Sequence, residues 1–206
     1  MKAIAHSKAT YPPRTYHNAK TADLTVAFAE DFSSKGEQLT ETAADGKYLH
    51  ISLDMSPIEA ARLLFAECRK RGVKVLNIAG NGIYTLKDYG WRQEHLNLWM
   101  YKVLELVHKH WPLKKVISGG QTGVDFAGGV AAELLGIDSE MTFPKDFLQR
   151  TLTKFAHTQT EAEVLAEVEN QVGMLTSMIM AGDEVEKTAA TKVSKPKVVE
   201  DSPSPR

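Results

Sequence analysis

The chain has 206 residues, of which 43% are hydrophobic, and its 25 basic and 26 acidic side chains leave a net charge of -1. This composition fits one globular domain with a full core, and the balanced charge provides no overall basic field that would favour nucleic acid as a partner. The single Cys68 cannot form an internal disulfide, and no apolar run approaches the roughly 20 residues of a membrane span. We therefore expect a cytoplasmic protein without a membrane partner.

The two ends of the chain differ in composition from the middle. Residues 1–20 contain Pro12, Pro13 and many polar side chains, which predicts an irregular N-terminal arm. Residues 183–206 lack aromatic side chains and are rich in Lys, Glu, Pro and Ser. Such a segment cannot bury enough apolar surface to offset the entropy of ordering, so we expect a disordered tail. The single domain is then predicted to span residues 21–182.

Strand patterns alternate with helix patterns through the middle of the chain. Short apolar and β-branched runs predict strands at residues 24–30, 47–54, 73–80, 113–119 and 137–144. Helical spacing of apolar residues predicts helices at about residues 35–44, 57–71, 92–109 and 123–135. A long final helix follows, with a capping-box pattern at Thr158 and Glu161. This alternation predicts an α/β fold, a Rossmann-like three-layer sandwich with a mostly parallel sheet.

Two of the predicted strands run into glycine-rich turns, "NIAGNGIYTL" at 77–86 and "VISGGQTGVD" at 116–125. Because one long helix separates them, the two strands can lie side by side and share a crevice at their carboxyl ends, where open α/β sheets bind ligands. A helix that begins there offers free backbone N–H groups to a phosphate. The predicted ligand-binding residues of these turns are Gly80, Asn81, Gly82, Gly119, Gly120, Gln121, Thr122 and Gly123.

Four further side chains are candidates for the same edge of the sheet. Ser34 and Lys35 follow the first predicted strand and form either an anion site or a solvated turn with serine caps. Tyr84 either stacks on a base or anchors its loop. Lys145, in "FPKDF" after the last predicted strand, is a candidate phosphate contact.

Asp125 lies in the first turn of a predicted helix, where its charge would repel a phosphate bound at the same helix end. It is either a cap of that helix, a ligand of a Mg²⁺ that bridges to phosphate, a contact for ribose or base donors, or a catalytic acid. No cluster of His or acidic residues has the spacing of metal ligands, so we expect no metal site of the protein's own. The sequence assigns no cofactor beyond a Mg²⁺ that accompanies a nucleotide.

The stretches "NIAGNGIYTL", "VISGGQTGVDFAGGVAAELLGI" and "MTFPKDF" together resemble the SLOG superfamily of Rossmann-like domains. YspA-like members have a short glycine-containing turn and then a "GGARGAD"-like turn, where this chain has "AGNG" and "GGQTGVD". The latter is most similar to the turn of proposed molybdenum-cofactor carriers. The resemblance covers about residues 74–147 and implies a pocket for a nucleotide or nucleotide-like ligand. The chain departs from the "PGGxGTxxE" motif of the LOG phosphoribohydrolases, because it has no Glu at that offset and Asp125 is out of register.

The favoured hypothesis is a protein that senses or sequesters a nucleotide or a nucleotide-derived phosphate ligand. One alternative is a nucleotide hydrolase that cleaves an N-glycosidic or phosphate bond with help from Asp125 or Glu133. Another is a non-catalytic protein-interaction scaffold for the tail. The apolar stripe of the final helix fits either packing on the sheet or contact within a homo-oligomer.

Overall fold

The computed structural model describes residues 1–153 and 155–182, so the tail expected at residues 183–206 lies outside the described residues. The strands are β1 Lys2–Ala5, β2 Leu24–Ala29, β3 Tyr48–Ser52, β4 Val75–Gly80, β5 Lys115–Ser118, β6 Asp138–Phe143, β7 Gln149–Arg150 and β8 Ala156–His157. The α-helices are α1 Tyr11–Thr21, α2 Lys35–Ala44, α3 Pro57–Arg71, α4 Ile83–Leu86, α5 Gln93–His110, α6 Val124–Leu134 and α7 Glu161–Met180. Single 3-10 turns lie at Lys87–Tyr89 and Lys145–Phe147.

Six strands form one parallel sheet in the order β1-β6-β5-β4-β2-β3, while β7 and β8 make a separate antiparallel pair. Helices α3, α5 and α6 lie on one face of the sheet, and α1 and α2 lie on the other. Helix α5 packs against both α3 and α6, and α1 packs against α2. The predicted Rossmann-like three-layer sandwich is confirmed.

The two faces of the sheet differ in polarity. Leu24, Val26 and Phe28 of β2 belong to the large apolar core, where the ring of Phe28 meets that of Trp99 edge-on at 5.3 Å. The other face carries small and polar residues, as in the hydrogen bond of 3.2 Å from Asn77 Nδ2 to the hydroxyl of Thr25. Because side chains alternate along a strand, this second face is presented to α1 and α2. It leaves room for a polar cavity beneath them.

The N-terminal segment is regular, and the prediction of an irregular arm was wrong for these residues. Strand β1 pairs in parallel with β6, and α1 has Pro12 and Pro13 in its first turn, where a backbone N–H has no intrahelical partner. The helix was missed because two of the residues that it buries, Arg14 and Asn18, are polar. A helix of this kind has no apolar stripe for a sequence pattern to detect.

The start of the final helix also differs from its prediction. The pattern T-x-x-E occurs twice in succession, and the capping box forms at Thr160 and Glu163 instead of Thr158 and Glu161. The residues just before Thr160 are held in extended form, since the N–H of Gln159 donates to the carbonyl of Asp146 at 3.1 Å. Within the described part of the chain, no helix combines the length and the apolarity that crossing a bilayer would need.

The close approach of α6 to the sheet predicts opposite effects for two glycine-to-alanine changes. A Cβ at Gly128 would lie 2.8 Å from Cγ2 of the buried Ile78, whereas a Cβ at Gly173 in α7 would meet nothing within 4 Å. We expect Gly128→Ala to lower the free energy of unfolding by about 1–2 kcal/mol, because overpacking outweighs the gain in helix propensity. Gly173→Ala, the matched control, should raise it by about 0.5–1 kcal/mol. Urea titrations measure both, and equal effects would contradict the packing argument.

Candidate ligand-binding site

The two glycine-rich turns pair with each other. The strands before them, β4 and β5, are neighbours as predicted, and their turns form an antiparallel bridge between Gly82 and Gly123. The N–H of Ile83 donates to the carbonyl of Thr122 at 3.0 Å. Gly123 has a φ of 106°, and a Cβ there would lie 2.5 Å from the carbonyl oxygen of Asn81. The space directly between the turns is therefore filled by their own backbone.

The space for a ligand lies beside the paired turns, on the face of the sheet that carries α1 and α2. It is a cavity of about 200 Å³ bounded by α1, the start of α2, the end of β4 and the turn after β5. Four of the predicted turn residues line it, namely Gly80, Gly82, Gly119 and Gln121. Its principal side chains are Tyr11, Arg14, Asn18, Glu37, Asn77, Tyr84, Asp125 and Arg150.

A buried ion pair forms one wall of this cavity. Arg14 Nη1 lies 3.2 Å from Asp125 Oδ2, and these residues are only 7% and 8% exposed. The carboxylate also accepts backbone N–H groups from Gly80 and Gln121. Burial raises the pKa of Asp125, and the Arg14 guanidinium opposes that shift. With these partners Asp125 is built into the wall as a structural acceptor, and it does not serve as the N-cap of α6.

Gly119 is required by the same ion pair. A Cβ on this residue would lie 1.5 Å from Arg14 Nη1 and 2.1 Å from Asp125 Oδ2. The absence of a side chain at this position therefore lets the protein's own arginine cross the turn. The Arg14 side chain therefore occupies the space beside Gly119 where the sequence led us to expect a ligand.

Glu37 is a second acid in the cavity and was not identified from the sequence. It is 5% exposed, Oε1 accepts from Asn81 Nδ2 at 3.2 Å, and Oε2 has no hydrogen-bond partner among the described residues. Burial, followed by the charge of Asp125, raises its pKa to about 7. Its spacing from Ser34 fits an ordinary capping box, so the sequence carried no signal that the side chain turns inward.

Arg150 brings a second guanidinium to the cavity. Its Cζ lies 4.7 Å from the centre of the Tyr11 ring, and Arg14 Cζ lies 5.5 Å from the same ring. Arg150 is half-buried and forms no salt bridge within the described part of the chain. Burial raises the pKa of Tyr11, and the two arginines oppose that shift. No sequence pattern marks these three residues, because α1 and the short β7 have no apolar periodicity.

Gln121 and Thr122 hold the segment that carries Arg150. Gln121 Nε2 donates to the carbonyl of Leu148 at 2.9 Å, and its Oε1 accepts from the N–H of Arg150 at 3.0 Å. The hydroxyl of Thr122 donates to the carbonyl of Arg150 at 2.6 Å. These contacts position a cavity residue. Gly120 also holds this segment, because its carbonyl accepts a hydrogen bond from Gln149 Nε2 at 2.7 Å.

The remaining predicted site residues fall into three groups. Asn81 and Ser34 have structural partners: Asn81 Oδ1 accepts from the N–H of Glu30 at 3.0 Å, and Ser34 caps α2. Tyr84 lines the cavity. Lys35 and Lys145 are exposed and lie outside its lining. In the described residues, no three His, Cys, Asp or Glu side chains are grouped so as to hold a metal ion.

A larger cavity of about 870 Å³ lies on the other side of the paired turns, between α5, α7 and the segment around β7. Several of its polar side chains bind one another. Gln93 Nε2 donates to Asn97 Oδ1 at 2.9 Å, and Asn97 Nδ2 donates to Gln171 Oε1 at 2.8 Å. Gln93 Oε1 also accepts from the N–H of Gly123 at 2.7 Å. This network ties α7 and the turns to α5 and is satisfied by the protein itself.

Comparisons with known proteins place the chain in no family. No family model matches it, and no match is found among the curated proteins. Among solved structures, it is similar to a proposed molybdenum carrier protein from Syntrophus aciditrophicus SB, with 26% identity and a TM-score of 0.42. The similarity covers 50% of this chain and 63% of that protein, which is less than two thirds of its length. A similarity of this extent identifies neither a ligand nor a site.

The raised pKa of Glu37 predicts a pH-dependent stability. The folded state keeps a proton that the unfolded state releases near pH 4.5, so the free energy of unfolding falls as the pH rises from 4.5 to about 7. The ionisation of Glu37 lowers the free energy of unfolding by about 3 kcal/mol in total, and this loss is complete above about pH 7. Glu37→Gln should remove this contribution, whereas Glu41→Gln, at an exposed position of the same helix, should retain it.

Urea unfolding at pH 5, 6, 7 and 8 measures this dependence. Parallel stability curves for Glu37→Gln and the unmodified protein would show that Glu37 is not buried as an acid.

Proposed function

We propose that the protein binds a small polar ligand in the cavity between α1 and the paired turns, and that this ligand is a nucleotide or a nucleotide-derived phosphate compound. The observation that carries the proposal is a cluster of unpartnered polar atoms. Within the described residues, five buried atoms of cavity-lining side chains have no hydrogen-bond partner, namely Tyr11 Oη, Arg14 Nε, Asn18 Oδ1, Glu37 Oε2 and Asn77 Oδ1. A buried unpartnered group costs about 1–3 kcal/mol, so such a cluster is typical of a site where a ligand supplies the partners.

The charges of the cavity favour an anionic group on that ligand. Arg14 is neutralised by Asp125, which leaves Arg150 as the guanidinium without a carboxylate partner in the described chain. Gly36, in the first turn of α2, also lines the cavity, so the positive end of that helix adds to the field. A phosphate near Arg150 would gain a charge-assisted bidentate contact.

A nucleotide hydrolase is the second candidate, and one observation favours it. Glu37 has a pKa of about 7 and an unpartnered oxygen that belongs to a cavity-lining side chain, which suits a general acid or base near neutral pH. The acids considered from the sequence are less suited. Asp125 is held by Arg14, and the Glu133 carboxylate lies 2.9 Å from the amino group of Met1 and does not line the cavity.

A phosphorus NMR titration tests the proposal. The full chain is mixed with a panel of mononucleotides, dinucleotides and cyclic nucleotides, with and without Mg²⁺. We expect at least one member to shift or broaden. Arg150→Met should then weaken binding about 10- to 100-fold, the effect of losing a charge-assisted contact. Lys145→Met, which removes an exposed cation outside the cavity, should leave binding unchanged.

The time course of the same spectra separates the two candidates. Constant spectra indicate a binder, while new peaks that are lost in Glu37→Gln indicate a hydrolase. If no member of the panel changes its spectrum, a nucleotide ligand is ruled out.

A further inference from the structure

The unpartnered atoms of the cavity are mostly acceptors, and this imbalance bears on which end of the ligand enters. The point rests on the proposed function, because it concerns the same cavity. Asn18 Oδ1, Glu37 Oε2 and Asn77 Oδ1 are oxygens, and their residues are 2%, 5% and 3% exposed. Bulk water therefore reaches none of them freely. Two further unpartnered atoms accompany them: the donor Arg14 Nε and the Tyr11 hydroxyl, which can donate or accept.

The contacts of the opposite atoms fix these side chains in place. Asn18 Nδ2 donates to the carbonyl of Ser118 at 2.9 Å, which leaves Oδ1 as the free end of that amide. The Asn77 amide nitrogen lies 3.2 Å from the hydroxyl of Thr25. Glu37 Oε1 accepts from Asn81, so its free atom is Oε2. The three free oxygens come from three different elements, α1, α2 and β4, and their side chains line one cavity.

We infer that the cavity recognises an amino group, and that the amino-bearing heterocycle of the ligand enters it while an anionic group stays near Arg150. A planar amino group donates two hydrogen bonds and accepts none, which matches a surplus of acceptors. The aromatic ring of Tyr84 lines the same space, where it can contact a flat ring. A cavity of about 200 Å³ admits one ring system of nucleobase size, and the phosphate of a nucleotide would then remain outside.

The test uses free bases, so that no phosphate contributes, and compares pairs in which an oxo group replaces the amino group and the adjacent ring nitrogen gains a hydrogen. Ligand-observed proton NMR titrations at pH 8 compare adenine with hypoxanthine, and cytosine with uracil. We expect the amino-bearing member of at least one pair to bind about 10- to 100-fold more tightly than its oxo partner, because the oxo group leaves buried acceptors unpaired. Equal binding within both pairs would overturn the inference, as would no binding by either amino base.

Two variants locate the preference in the acceptors. Glu37→Gln keeps a carbonyl for Asn81 and replaces the free oxygen by an NH₂ donor, so the preference for the amino base should fall below about threefold or reverse. Asn77→Leu removes a second acceptor at similar volume and should have the same effect. Glu41→Gln on the exposed side of α2 is the control and should retain the full preference. An unchanged preference in both Glu37→Gln and Asn77→Leu would also overturn the inference.

The pH dependence gives an independent readout. Above pH 7 the Glu37 carboxylate accepts from the ligand, and below pH 7 the protonated acid donates, so the preference should shrink as the pH falls from 8 to 6. The charged or titratable groups around Glu37 are Tyr11, Arg14, Asp31, Tyr48, Tyr84, Asp125 and Arg150. Because Glu37→Gln cannot titrate, its remaining preference should not change with pH. An equal pH dependence in this variant would contradict the role of Glu37.

The outcome separates this inference from the proposed function. If nucleotides bind but the amino and oxo bases bind alike, the proposed function stands and the inference fails. If the amino bases bind selectively and no phosphate compound binds, the inference stands and the nucleotide assignment fails. If neither class binds, both are overturned.

Discussion

The buried ion pair between Arg14 and Asp125 is the interaction on which the rest of the site depends. It joins α1 to α6 across the turn after β5, and it passes where Gly119 has no side chain. The small apolar cluster between α1 and α2 is built from alanines such as Ala19 and Ala44, so apolar burial alone contributes little to fixing α1. Two buried charges are stable only when they stay paired. The pair therefore sets the position of α1, and with it the depth of the cavity.

The glycine-rich turns act as a scaffold for the cavity, and four of their residues also line it. Their mutual pairing through Gly82 and Gly123 seals the edge of the sheet between β4 and β5. The side chains of Gln121 and Thr122 then hold the backbone around Arg150. The glycine-rich backbone after β5 thus makes contacts within the protein, and these contacts place the Arg150 guanidinium at the cavity.

The sequence predicts the sheet well and the site only in part. Strands β2 to β5 contain short apolar or β-branched runs and β6 ends in one, and these local patterns are enough to predict a parallel sheet with two adjacent glycine-rich turns. Four turn residues and Tyr84 do line the cavity. Arg14, however, meets an acid 111 positions later in the chain, and such a pairing leaves no periodic signal. Glu37 was missed for a related reason, because its spacing from Ser34 is that of an exposed capping acid while its partner, Asn81, lies 44 positions away.

The division of charge within the cavity favours a ligand with two unlike ends. Arg14 and Asp125 neutralise each other, so the charges that remain are the Arg150 guanidinium, half-buried over the Tyr11 ring, and, above pH 7, the Glu37 carboxylate. The acceptors Asn18, Asn77 and Glu37 are almost fully buried. A ligand that placed an anion against these oxygens would leave them unpartnered and would add repulsion from Asp125. In the reverse orientation, the same ligand donates hydrogen bonds to the buried oxygens and places its anion near Arg150. Orientation in this cavity therefore follows from the burial of three oxygens and one unpaired cation.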